Sequence, residues 1–207
     1  MKQAHGGDLD AAIARFGGAA EEWIDLSTGI NRMPYPVPEP PDAVLRALPT
    51  FAQTDALIAA ARSAYRTQAP ILPLAGAQAA IQLVPGLRAA GDARVLGPTY
   101  TEHQRQLQAR GWRVSEVAAP EDLAGADLAV VVNPNNPDGQ RHPPDTLAAL
   151  AGRVGMLVVD ESFADVAPEL SLAPLAPIEN LLILRSFGKF YGLAGLRLGF
   201  AIGPRAL

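Results

Sequence analysis

The sequence predicts an α/β fold: three α/β/α layers around a mostly parallel, seven-stranded sheet, preceded by an N-terminal arm. Two observations support this prediction. Seven short apolar runs recur between positions 71 and 202, and helical patterns separate most of them. Continuous apolar strands that alternate with helices are typical of a parallel sheet covered on both faces. Most of the 19 glycines and 19 prolines fall between these segments, as they do in turns.

The arm, together with part of the small domain, occupies residues 1–45 in this prediction. A helix is expected from Leu9 to Phe16 and a short strand over 23–26. The stretch 33–41 contains five prolines. Because proline supplies no N–H and fixes φ, this stretch excludes a helix or a central strand and predicts an extended segment.

The large domain is expected over residues 46–207. Its predicted strands are 71–75, 94–97, 112–117, 128–132, 155–159, 181–184 and 197–202. Its predicted helices, the first of which begins in the arm, are 42–48, 54–65, 78–87, 101–110 and 144–153.

Composition and charge exclude several classes of protein. With 207 residues, the chain suffices for one large domain or for one domain and a fragment. The net charge is −4 without a long basic run, so nucleic acid is not an expected partner. Cysteine is absent, which excludes disulfides and thiolate metal sites, and no metal is predicted. No signal peptide and no apolar run of about 18 residues is evident, so we expect a cytoplasmic protein without a membrane partner.

Lys189 is the most informative residue. It lies in Ser186-Phe187-Gly188-Lys189, and Arg197 follows eight residues later. A lysine that bonds to pyridoxal 5'-phosphate (PLP) needs a phosphate anchor nearby, and a hydroxyl and an arginine are suitable groups. Taken alone, Lys189 is more typical of a solvated lysine.

Two polar segments follow buried strands upstream of Lys189. Asn136, just past strand 128–132, can donate an amide hydrogen to a ring oxygen, although Asn-Pro is also a plain turn former. Asp160 ends the next strand, and a carboxylate beside a pyridine nitrogen keeps that nitrogen protonated. Taken alone, Asp160 could equally face solvent. Ligands in such sheets bind beyond the carboxyl ends of the strands, where these residues lie.

Two further segments are weaker signals. Gly76-Ala77-Gln78 opens a predicted helix, whose first amides could hold a phosphate, or it is an ordinary turn. Tyr100 follows another strand and could lie flat on a cofactor ring, or it is a core or surface tyrosine. The full set, in this order, predicts a PLP enzyme.

At these residues the chain resembles the fold-type I, PLP-dependent enzymes of the class I/II aminotransferase superfamily, over its whole length. The resemblance implies that Asn136 contacts the ring hydroxyl, Asp160 the pyridine nitrogen and Lys189 the aldehyde carbon. It also implies that Tyr100 stacks on the ring. The implied phosphate ligands are Ala77, Gln78, Ser186 and Arg197.

Finer features are similar to the L-threonine-O-3-phosphate decarboxylases of cobalamin biosynthesis, with histidinol-phosphate aminotransferases as the next nearest family. These features are the segments 5–8, 25–31, 160–163 and 186–199. The resemblance implies decarboxylation of L-threonine O-3-phosphate to (R)-1-aminopropan-2-yl phosphate by a homodimer. It implies that substrate contacts come from His5, Gly29, Ile30 and Asn136. Unless it binds phosphate, His5 belongs to a disordered tail.

The chain departs from the family pattern at several positions. Phe163 stands where many aminotransferases have a tyrosine that donates to the ring hydroxyl, and this favours the decarboxylase. Leu48 replaces a tyrosine that reaches the partner's phosphate, and Arg32 replaces a proline. Family members also continue beyond residue 207, so we expect the C-terminal small domain, with its carboxylate-binding arginine, to be absent from this chain. Three functions remain open: a decarboxylase, a histidinol-phosphate-type aminotransferase, and a non-catalytic PLP-binding fragment.

Overall fold

The computed structural model describes residues 6–205 of the chain. Seven strands form a single mixed sheet in the order β1-β7-β6-β5-β4-β2-β3. Strands β2 to β6 are mutually parallel where they pair, and β7 runs antiparallel to both β1 and β6. The strand bounds are Ile71–Leu74 (β1), Asp92–Leu96 (β2), Arg113–Val117 (β3), Leu128–Val132 (β4), Leu157–Asp160 (β5), Leu181–Ser186 (β6) and Gly199–Ile202 (β7). The predicted seven-stranded, mostly parallel sheet is confirmed.

Within residues 6–205, five α-helices flank the sheet or precede it. Their bounds are Leu9–Phe16 (α1), Phe51–Tyr65 (α2), Ala77–Leu83 (α3), Glu102–Ala109 (α4) and Pro144–Ala151 (α5). The α2 helix begins with a capping box, in which the Thr50 hydroxyl accepts from the Gln53 amide and the Gln53 side chain accepts from the Thr50 amide. No helix within the described residues is long and apolar enough to cross a membrane.

Both faces of the sheet are buried, which explains the continuous apolar runs. Along β4, Val131 packs into the core layer that includes α2 and α5, while Val130 packs into the layer that includes α3 and α4. The same alternation holds along β5, where Val159 and Val158 face opposite layers. A strand with a core on each side has no solvent face, so its sequence loses the polar alternation of an edge strand.

The N-terminal arm differs from its prediction in two places. Residues 23–26 form no strand, because this segment pairs with no other strand in the described chain and exposes Ile24 (79%) and Leu26 (83%). The helix expected at 42–48 is only a 3-10 turn over Asp42–Leu45. The predicted helix 9–16 is present, and the Asp8 carboxylate caps it by accepting from the Ala11 amide at 3.1 Å.

The helix after β1 is shorter than expected. The sequence predicts a helix over 78–87, whereas α3 ends at Leu83 and a 3-10 turn covers Val84–Gly86. Pro85 lacks the N–H that the next helical hydrogen bond would need, so the helix gives way to a 3-10 turn around it.

Candidate active site

A cavity of about 550 Å³ lies where the carboxyl ends of β4, β5 and β6 meet the start of α3. These three strands are parallel neighbours, so their carboxyl ends lie at one edge of the sheet. The cavity wall includes the polar residues Gln78, Gln82, Tyr100, Glu102, Arg105, Asn136, Asp160, Ser162, Ser186, Lys189 and Arg197. This arrangement places acidic, basic and amide groups around one enclosed volume.

Lys189 supplies the amine of the cavity. It is half-buried in the loop after β6, and its Nζ lies 5.9 Å from the centroid of the Phe163 ring. Burial lowers the pKa of Lys189, Asp160 opposes this shift, and the positive charge of Arg197 adds to it. A lysine with a lowered pKa carries more of its neutral, nucleophilic form near neutral pH.

Asp160 is the buried acid of the cavity. Its Oδ2 lies 2.8 Å from Nε2 of His103, and its Oδ1 accepts from the Ser162 amide at 2.9 Å and the Ser162 hydroxyl at 2.5 Å. Burial acts to raise the pKa of Asp160, but His103 and Ser162 outweigh it and hold the pKa below its ordinary value. The carboxylate therefore stays charged in a nearly water-free position.

The next residue, Glu161, points to the other face of the sheet. Its carboxylate accepts from Nη1 of Arg185 at 2.8 Å and from the Leu172 amide at 2.7 Å. Burial raises the pKa of Glu161, and Arg185 opposes that shift. The Asp-Glu pair thus divides into one residue for the cavity and one for the core.

Arg197 and Ser186 border the other end of the cavity. The Nη1 of Arg197 donates to the Ala194 carbonyl at 3.1 Å, and this contact holds the guanidinium over the β1–α3 turn. Gly76 has φ of +84°, and a Cβ there would lie 3.2 Å from Nη2 of Arg197. A glycine at this position therefore lets the backbone come close to the guanidinium and leaves space beside it.

The Asn-rich turn divides into structural residues and one cavity residue. Asn133 is fully buried, and its side-chain amide donates to the His142 carbonyl at 3.0 Å. Asn135 ties the turn to the β2 end by donating to the Pro98 carbonyl at 2.9 Å and accepting from the Thr99 hydroxyl. Asn136 lines the cavity. This segment therefore contributes Asn133 and Asn135 to the structure of the turn and Asn136 to the cavity wall.

The structure brings most of the sequence-predicted site residues together. The predicted substrate residue Ile30 lines the cavity. So do all eight predicted cofactor residues, which are Ala77, Gln78, Tyr100, Asn136, Asp160, Ser186, Lys189 and Arg197. Gly29 instead packs behind the wall, where a Cβ would lie 2.8 Å from the Phe163 ring. His5 lies outside the described residues.

Sequence reasoning missed two groups at this site. His103 is 2% exposed, and its Nε2 contacts the Asp160 carboxylate. The sequence indicates this residue only by its spacing, three residues after Tyr100, which is about one helical turn along the chain. Arg105 lies at the cavity wall, with its Nη1 2.5 Å from Oε1 of Glu102. Both lie on α4, so one helix supplies a side chain to the cavity wall and another that contacts Asp160.

Fold and site together define an α/β protein with an amine, a buried carboxylate and a guanidinium around one pocket. The chain belongs to the aminotransferase class I and II family, whose model matches residues 21–207.

Two similar relatives have been named as threonine-phosphate decarboxylases. The one from Sinorhizobium sp is 46% identical over 96% of this chain, and the one from Pseudomonas aeruginosa is 43% identical over 98%. The chain spans 62% of the length of each. Among solved structures, a histidinol-phosphate aminotransferase from Sinorhizobium meliloti in complex with pyridoxal-5'-phosphate superposes with a TM-score of 0.65. The two chains are 26% identical, and the match covers 72% of this chain and 46% of that enzyme's chain.

Proposed function

We propose that this chain binds PLP through Lys189 and carries the cofactor half of an enzyme that decarboxylates L-threonine O-3-phosphate. The observation that carries this proposal is the cavity in which the Lys189 amine, the Asp160 carboxylate and the Arg197 guanidinium face a common volume. The two decarboxylase relatives, at 46% and 43% identity, support the choice of reaction.

The residues present fit PLP chemically. An aldehyde needs a partly desolvated amine, and Lys189 has a pKa lowered by burial. A pyridinium nitrogen needs a permanent negative charge, and Asp160 has a pKa held below its ordinary value by His103 and Ser162 against burial. A phosphate needs hydrogen-bond donors, which Arg197 and Ser186 supply in the wall of the cavity beside Gly76.

Bound PLP supplies an aldehyde that an amine can attack and a ring that withdraws electrons from a bond at the substrate's α-carbon. The residues of this chain hold and orient the reactants. We assign the ring hydroxyl to Asn136 and the ring face to Tyr100. Asp160 would face the ring nitrogen, and its hydrogen bonds with His103 and Ser162 keep the carboxylate charged. Lys189, which lines the cavity, would deliver a proton to the α-carbon of the substrate.

A histidinol-phosphate-type aminotransferase is the second candidate. The structural similarity to the Sinorhizobium meliloti enzyme supports it. Phe163 favours the decarboxylase over it, since its ring closes the cavity near Lys189 without a hydroxyl that could donate to the cofactor. Both reactions start from the same bound amine and differ in which bond at the α-carbon breaks.

We also propose that residues 1–45 act as an arm on a large domain over 46–207, and that the protein is a cytoplasmic homodimer. Large apolar side chains on the arm and at the start of α2 support a second copy of the chain as the partner. Their exposed fractions are high: Met33 80%, Leu48 89% and Phe51 93%. Sedimentation velocity tests the dimer directly, and a monomer at micromolar concentration would contradict it.

A substrate assay separates the candidate functions. Release of carbon dioxide from L-threonine O-3-phosphate in the absence of any keto acid is the result that the decarboxylase predicts. Amino-group transfer from histidinol phosphate that requires 2-oxoglutarate would support the aminotransferase. A chain that takes up PLP but catalyses neither reaction would support the non-catalytic fragment. The Lys189→Ala variant is the control for each assay.

A further inference from the structure

The N-terminal arm is bonded to the loop that carries Lys189. The amide of Asn31 donates to the Lys189 carbonyl at 3.0 Å, and the Asn31 side-chain amide donates to the Phe190 carbonyl at 2.9 Å. The amide of Tyr35 donates to the Tyr191 carbonyl at 2.8 Å. Three consecutive carbonyls of the loop are therefore held by one short segment of the arm, and Asn31 supplies two of the three donors.

The loop has little support of its own. No strand or helix of the described chain covers residues 187–193. The Phe187 amide donates to the Leu198 carbonyl at 3.1 Å, and the Gly192 amide donates back to the Lys189 carbonyl at 3.2 Å. A loop with so few internal hydrogen bonds depends on its neighbours for a fixed backbone position.

Packing follows the same path as the hydrogen bonds. The Tyr35 ring meets the Tyr191 ring edge-on at 6.1 Å, and the Tyr191 ring stacks on Phe187 at 4.4 Å. Gly192 has φ of +67°, and a Cβ there would lie 2.7 Å from the Asn31 carbonyl oxygen and 2.8 Å from the Pro34 Cα. The arm and loop backbones are thus in direct contact, with no room for a side chain between them.

The side chain of Asn31 also orders the arm itself. Its Oδ1 accepts from the Met33 amide at 2.9 Å, while its Nδ2 donates to Phe190. One residue therefore fixes the turn of the arm and joins that turn to the loop. Ile30, directly before it, lies in the cavity wall.

We propose that Asn31 is a positioning residue for Lys189: it ties the arm to the loop so that the lysine amine is aimed into the cavity and shielded from water. This inference rests on the proposed bond between Lys189 and PLP. It assigns a role to an arm residue that contacts the Lys189 loop, and it predicts that loosening the arm changes the chemistry of the lysine more than the stability of the domain.

The test compares Asn31→Ala with Asn180→Ala. Asn180, which directly precedes β6, is a matched control. Its side-chain amide also donates to backbone carbonyls, those of Ala151 at 2.6 Å and Val154 at 2.9 Å. PLP affinity is measured by absorbance titration. The rate of bond formation at Lys189 is measured by borohydride trapping and mass spectrometry over a range of pH. Urea unfolding reports stability.

Asn31→Ala is expected to weaken PLP binding about 3- to 10-fold, which corresponds to the loss of the one hydrogen bond that its side chain donates to the loop, at Phe190. The pH midpoint of labelling is expected to rise, because water that reaches Lys189 removes part of the burial that lowers its pKa, while Asp160 and Arg197 still face it. Asn180→Ala is expected to lose stability but to keep wild-type affinity and pH midpoint. Asn31→Asp, which retains the acceptor for Met33 but not the donor to Phe190, is expected to behave like Asn31→Ala.

Two results would overturn the inference. One is an unchanged pH midpoint and PLP affinity in Asn31→Ala, and the other is an equal change in Asn180→Ala. In either case, labelling of wild-type Lys189 would leave the proposed function standing. A wild-type chain that is not labelled at Lys189 would remove the proposed function and this inference with it.

Discussion

Replacing His103 with leucine isolates the contact that keeps Asp160 charged. His103 is 2% exposed and Asp160 is 3% exposed, and their side chains meet at 2.8 Å. Leucine fills a similar volume but offers no hydrogen bond or charge. The Asp160 carboxylate would then keep only its contacts with Ser162. Removing a hydrogen-bond partner from a buried charged group costs about 1–3 kcal/mol or more, which is a considerable share of the about 5–15 kcal/mol that stabilises a typical domain.

The sign of the pH dependence follows from the pKa of Asp160. In the wild-type protein this pKa lies below its ordinary value of 3.8, so the stability that Asp160 contributes is present above that pH and is lost as pH falls through the lowered value. In His103→Leu, only Ser162 is left to oppose burial, so the pKa of Asp160 rises from its wild-type value. The variant is therefore most destabilised at neutral pH and recovers part of the difference as acid protonates Asp160.

Urea unfolding at about pH 7 and about pH 4, near the ordinary pKa of the carboxyl group, measures both quantities. The matched control is His142→Leu, because Nε2 of His142 is buried without a hydrogen-bond partner within the described residues, and its loss should change stability little. A His103→Leu variant as stable as wild type at pH 7 would refute the reasoning, since a buried carboxylate would then have lost a hydrogen-bond partner at no cost. So would a loss of stability that is equal at both pH values.

Two further substitutions test separate parts of the molecule. Arg185→Met leaves Glu161 and Asp165 without their buried cation, and we expect the free energy of unfolding in urea to fall by about 3–5 kcal/mol. A fall of less than about 1 kcal/mol would contradict the buried network, because ion pairs that contribute so little are typically exposed to solvent. Arg197→Gln removes a charged donor from the proposed phosphate end, and we expect PLP affinity to fall by about 10- to 100-fold in absorbance titrations, as for a hydrogen bond to a charged group. Arg110→Gln, at the end of α4 and away from the cavity, is its control, and equal affinities in the two variants would remove Arg197 from the phosphate site.

The sheet was predictable because its signal is local. The apolar runs of β4, β5 and β6 are continuous, and each is followed by a polar residue where the chain leaves the sheet, as Asp160 does. The pattern therefore indicates both the strand and the edge at which the site lies. The cavity residues that end strands, or follow them closely, were found for the same reason.

The remaining features depend on contacts that the local sequence does not contain. Residues 23–26 have strand-like composition, but a strand needs a partner and this segment has none in the described chain. His103 is distant in sequence from Asp160, and only the packing of α4 against the sheet brings the two within 2.8 Å. The bond from Asn31 to the Lys189 loop spans an even longer separation, so nothing in either segment alone predicts it.

The central claim is that the Lys189 amine bonds to PLP in the cavity it shares with Asp160 and Arg197. Incubation with PLP, reduction with borohydride and peptide mass spectrometry measure this most directly, with Lys189→Arg as the matched variant. We predict a single reduced adduct on Lys189 in the wild-type chain and no adduct in the variant. The chain's only other lysine, Lys2, provides an internal comparison. An adduct on Lys2 alone, or none on either lysine, would contradict the account.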